Sequence, residues 1–157
     1  MTRHLNPHIE KIINDTPYLP LAFQSILTTD TYFAANEDII DCLCFEREGF
    51  DIKSNFIVKH DNWQPTILML ATHKGVTILV EGGSKISDVL FGYRLTHIPY
   101  AHIISIELDV CMLNGRLVIS TGEGTEKHAV IQFNTAKYYQ ECERFMGTLR
   151  KKIFGEA

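Results

Sequence analysis

Between residues 66 and 153 the apolar side chains change their spacing once, and that switch decides the architecture. Up to Phe133 they recur at every second position, the period of a strand. From Tyr138 they recur at every third or fourth, the period of a helix. A chain written this way builds an antiparallel β layer and then lays one amphipathic helix on it.

Turn residues divide the β region. A first strand is expected near 38–46, where Ile40, Cys42 and Cys44 alternate with Asp41 and Leu43. Residues 49–65 are polar and punctuated by Gly49, Asn62 and Pro65, so they read as a long connection with a strand fragment at Phe56-Ile57-Val58. The runs 66–72 and 76–81 flank His73-Lys74-Gly75 and predict a hairpin whose glycine takes a positive φ. Strands follow at 93–98 and 102–108, with Pro99 at the corner because it has no N–H to give a ladder. Asn114-Gly115 reads as a tight-turn pair leading into 116–120, and 128–133 makes the seventh strand.

The helix predicted after it carries Tyr138, Cys142, Phe145 and Leu149 with Tyr139, Met146 and Ile153 on its apolar side. Asn134 or Thr135 is placed to cap its start, Arg150, Lys151 and Lys152 meet the negative end of its dipole, and Gly155 stops it. Upstream, Ile9, Ile12 and Ile13, then Leu19, Phe23, Ile26 and Leu27, mark two short helices. Helices that short need a surface to pack on, so residues 1–36 are expected to cap a domain formed by 37–157.

The 157 residues, 45% hydrophobic and 22% charged, suit one globular domain with its own core. A formal charge of −4 argues against a general nucleic-acid binder, which gains affinity by replacing phosphate counterions with Lys and Arg. Met1 to Glu10 is polar where a secretory signal needs an apolar stretch of roughly 7–15 residues, and no run reaches the ~18 apolar residues of a membrane span. A cytoplasmic protein is expected, with Cys42, Cys44, Cys111 and Cys142 as free thiols.

Seven strands and one long helix, in that order, resemble a pleckstrin-homology fold. The runs Ile67–Val76, Thr96-His97-Ile98-Pro99-Tyr100, Ile103-Ile104-Ser105-Ile106 and Asn114–Ile119 are similar to the bacterial pleckstrin-homology-like domains, particularly the YokE-like group. The resemblance spans about residues 37–154 and implies a mainly β fold: a seven-stranded antiparallel barrel capped by a C-terminal helix, here with a short helical N-terminal extension. Its motifs specify turns and core positions, so it speaks to fold more than to function. Two departures stand out. The Lys/Arg cluster with which eukaryotic members hold phosphoinositides is absent from the first hairpin, and Trp63 lies in the loop rather than in the final helix.

Motifs for chemistry are sparse. Cys42 and Cys44 share one strand face, which suits core packing better than zinc, whose sites use a second ligand pair. His73, His97, His102 and His128 lack the spacing of a helical metal site, and Tyr100, Glu107 and Asp109 stand isolated. No nucleophile elbow, P-loop or dinucleotide fingerprint occurs. The expectation is a binding module without catalysis, metal or cofactor, contacting its partner through loops 47–65, 83–92 and 121–127 at an open barrel end. In the loop 83–92, Ile86, Val89, Leu90 and Phe91 expose apolar area suited to self-association or a protein partner. An alternative gathers Arg47, Lys53, Lys59, Lys85 and Lys127 around an anionic lipid head group. A third builds a metal or catalytic site from the histidines.

Overall fold

A computed structural model describes residues 7–16, 19–28, 39–53, 56–82, 92–122 and 127–155. The chain is mainly β. Among the described residues, helices α1 (Pro7–Asp15) and α2 (Leu21–Thr28) precede nine strands: β1 (Ile39–Phe45), β2 (Glu48–Lys53), β3 (Phe56–Gln64), β4 (Ile67–Thr72), β5 (Gly75–Glu81), β6 (Tyr93–Pro99), β7 (Ile103–Cys111), β8 (Asn114–Thr121) and β9 (Lys127–Asn134). A 3₁₀ turn, Tyr100–His102, joins β6 to β7, and α3 (Thr135–Phe154) follows the last strand.

The first sheet has the antiparallel order β1-β4-β5-β6, and its strands β1, β4 and β5 are buried on both faces. One face presents Leu43, Phe45, Met69, Ala71, Val76, Ile78 and Ile98 to the main core. The other presents Cys42, Cys44, Leu68, Leu70 and Leu79 to Ile9, Phe23, Ile26 and Leu27 of the two N-terminal helices. Double burial explains why Ile67–Ala71 is apolar without interruption, since neither side of a central strand meets water. Phe23 adds an edge-to-face contact with Tyr93, their centroids 6.2 Å apart.

The second sheet, β7-β8-β9, turns one face to the main core, and on its other face Val118 of the central strand is also buried. Leu117, Ile119, Ile131 and Phe133 close the core, while Glu107, Asp109, Val130 and Gln132 on the other face are exposed. Among the described residues no ladder joins the two sheets into a closed barrel, so the seven-stranded barrel expected from the sequence resolves into two separate sheets. All seven expected strands are present.

Two more strands, β2 and β3, form a separate ribbon where a long connection was expected. Glu48 pairs with Gln64 but Phe50 pairs with Lys59, so four residues of β3, 60–63, stand opposite the single Gly49 and β3 carries the bulge. An interrupted register also interrupts the alternation from which a strand is read, and Gly49 and Asn62 lie within strands rather than ending them.

Both glycines assigned to hairpin turns are strand residues instead. The β4–β5 turn is His73-Lys74, braced by Thr72, whose hydroxyl donates to the Gly75 carbonyl and accepts from the amides of Lys74 and Gly75. Gly75 does not have a positive φ; a Cβ there would sit 2.2 Å from the Ile98 carbonyl oxygen, so β6 demands the missing side chain. The β7–β8 turn is Met112-Leu113 rather than Asn114-Gly115, and a Cβ on Gly115 would fall 2.3 Å from the ring of Phe133.

The local signals for α3 hold. Asn134 caps its start by accepting from the Ala136 amide at 2.9 Å, and Gly155 ends it in the left-handed region at φ 63°. Tyr138, Cys142, Phe145 and Leu149 face the core. Each such side chain stabilises the fold by roughly 1.5–3 kcal/mol relative to exposure.

Candidate interaction surface

Helix α3 runs along the gap between the sheets and packs beside two edge strands, β1 and β7. Its buried stripe has two flanks of different character. Arg144 and Thr148, one turn apart, lie on the β1 side. Tyr139, Met146 and Ile153, seven residues apart, form a line on the other side.

On the β1 side the contacts are polar. Asp41, only 3% exposed, forms an ion pair with Arg144, accepts from the Thr148 hydroxyl at 2.8 Å and accepts from the Cys42 amide at 2.8 Å. Arg144 also donates to the Cys42 carbonyl at 3.1 Å, and the Tyr138 hydroxyl accepts from the Glu46 amide at 3.0 Å. A buried carboxylate is tolerable only with such a full set of donors. The same side chains occupy backbone groups that an edge strand would otherwise leave open.

Between α1, β1 and α3 lies a cleft of about 460 Å³ lined by Lys11, Asp15, Cys42, Cys44, Glu141 and Arg144, among others. Burial pushes the Cys42, Cys44 and Cys142 thiols up to about 12, so all three stay protonated and unreactive near neutrality. Cys111, at the end of β7, is exposed.

On the β7 side the contacts are apolar and unfinished. Ile106 and Leu108 face the core but are only half-buried, and Val110 and Tyr139 are exposed. Strand β7 ends in the turn Met112-Leu113, whose side chains are 88% and 63% exposed. Met112 has φ 54°, a region that side chains with a Cβ avoid. Thr135 braces the turn from behind: its hydroxyl donates to the Met112 carbonyl at 2.7 Å and its amide to the Leu113 carbonyl at 3.0 Å. Two large apolar side chains are thus held outward on a fixed backbone. Beside them a polar cleft of about 1080 Å³ is lined by Leu113 together with Glu48, Gln64, Asp109, Arg116 and Gln132.

The residues singled out from sequence are dispersed. Arg47 forms an ion pair with the buried Glu81, which removes it from any exposed cationic cluster. Lys53 ends β2 and Lys59 lies in β3, both in the ribbon, whereas Lys127 begins β9 in another sheet. Lys85, Ile86, Val89, Leu90 and Phe91 lie outside the described residues, as does most of loop 121–127. Of loop 47–65, most is the ribbon.

Nor do the described histidines converge. His73 sits in the β4–β5 turn 3.4 Å from the Lys152 ammonium, and His97 is hydrogen-bonded to the Thr77 hydroxyl at 2.7 Å on β6. His102 lies in the 3₁₀ turn. Among the described residues no group of three or more His, Cys, Asp or Glu side chains is arranged to hold a metal ion. Likewise no described helix is long and apolar enough to cross a membrane.

Sequence reasoning missed the Met112-Leu113 tip, because the glycine two residues later captured the turn assignment. The signal was present in Cys111-Met112-Leu113, an apolar triplet where the chain must reverse. Comparison with protein-family models, with curated proteins and with solved structures finds no match to this chain.

Proposed function

We propose that the chain is a pleckstrin-homology-like interaction module of the cytoplasm that binds a protein partner without catalysing a reaction. The order of a four-stranded sheet, a three-stranded sheet and a C-terminal helix supports that likeness, with the β2–β3 ribbon as an insertion after the first strand. The observation that carries the binding reading is the Met112-Leu113 turn. Exposing two large apolar side chains, one of them on a strained backbone, has no benefit for a monomer in water.

Affinity capture from native lysate with the wild-type chain and with the Met112→Ser/Leu113→Ser variant tests this. The expected result is loss of the captured partner at unchanged circular dichroism and an unchanged melting transition. An identical partner set from both chains would overturn the reading. Self-association, expected from Ile86 to Phe91, is measured by light scattering during size exclusion, where a mass of one chain refutes it.

A further inference from the structure

Edge strands are dangerous unless they are covered, bulged or charged, because their outward N–H and C=O groups template another strand. The two edges beside α3 differ in this respect. On β1 Arg144 occupies the Cys42 carbonyl, and just past the strand's end Tyr138 occupies the Glu46 amide. Along β7, no hydrogen bond from another described element reaches the outward edge. Its only register irregularity lies between Ile103 and Ser105; from Ser105 to Cys111 the pairing with β8 is regular.

Side chains near that edge say what would fit. A strand added beside β7 would place alternate residues on opposite faces. On the core-facing side they would meet half-buried Ile106 and Leu108, with the Tyr139, Met146 and Ile153 flank of α3 as the opposite wall. On the outward side they would meet the exposed carboxylates of Glu107 and of Asp109, the latter also 3.8 Å from the Arg116 guanidinium.

We infer that the open edge of β7, walled by the apolar flank of α3, receives an extended segment of a partner protein in which apolar and basic residues alternate. The added strand gains main-chain hydrogen bonds from β7, apolar contact on one side and charge complementarity on the other. A second copy of this chain fits less well. Full-length antiparallel pairing of β7 with itself would set Glu107 directly opposite Glu107 and Asp109 opposite Ser105, and like charges in directly opposed positions repel. The inference rests on the protein-binding reading and names the partner's chemistry.

Two synthetic peptides test it with the full chain: an eight-residue alternation of lysine and valine, and the same alternation with glutamate for lysine. The lysine peptide is expected to bind at least ~10-fold more tightly and to slow hydrogen exchange of β7 amides, and Glu107→Lys/Asp109→Lys is expected to invert the preference. Equal binding of the two peptides, or no protection in β7, overturns the inference. So does protection of β7 by self-association without peptide. If Glu107→Lys/Asp109→Lys leaves partner capture intact while Met112→Ser/Leu113→Ser abolishes it, the edge inference falls and the protein-binding reading stands. If neither variant alters capture, both fall.

Discussion

Strands β1 and β7 are both sheet edges, both lie beside α3, and they are finished in opposite ways. Against β1 the helix places a guanidinium and two hydroxyls, all engaged, the guanidinium and one hydroxyl with the strand's own Asp41. On the flank turned away from β1 it carries Tyr139, Met146 and Ile153, and no hydrogen bond from it reaches the outward backbone of β7. One helix therefore seals one edge with polar bonds and builds a shelf beside the other. The difference teaches that an amphipathic helix has two flanks as well as a buried stripe, and that the flanks decide which edges remain usable.

The largest effect that would break this contrast is alkaline. Cys42 and Cys44 on β1, and Cys142 in the main core on α3, have thiols raised by burial from about 9 to about 12. Because the fold favours the protonated form, stability is intact below pH 9 and is lost as pH rises toward 12, where the unfolded chain ionises first. Three such groups carry several kcal/mol together, enough to unfold a domain of ordinary stability. Circular dichroism should show an alkaline transition in that window. Cys111→Ser should leave its midpoint unchanged while abolishing the fast phase of thiol labelling at pH 8, since Cys111 is exposed.

Removing the seal comes next. Arg144→Ala leaves the Asp41 carboxylate buried with only Thr148 and the Cys42 amide, and should cost about 3 kcal/mol in urea unfolding. The cost lies at the low end for a buried pair because Arg144 is about one-third exposed. An unchanged denaturation midpoint would show that the β1 edge does not need its polar closure. The smallest effect has the opposite sign: Met112→Gly relieves the positive φ and should raise stability by roughly 0.5–1 kcal/mol. A loss instead would mean that Met112 packs against the fold rather than standing ready for a partner.

What the sequence disclosed followed the range of the interactions. The stripe of α3, its Asn134 cap and its Gly155 stop are local features, and they were legible. The packing of Cys42 and Cys44 was legible too, because a strand's alternation places both on one face. The β2–β3 ribbon was hidden by its own irregular register. Gly75 and Gly115 misled for a different reason: each serves a neighbour from another strand, Ile98 or Phe133, and not its own turn. The site was least legible. Arg47 read as an available cation, but Glu81, 34 positions away, claims it, and nothing local marks that pairing.

The clasp between Asp41 and Arg144 spans 103 positions of chain. During synthesis, β1 emerges from the ribosome long before its latch exists, and contacts so distant in sequence form slowly. For that interval the β1 edge lacks its polar closure. Until α3 arrives, the β1 edge is as open to a passing strand as the edge of β7 is afterwards.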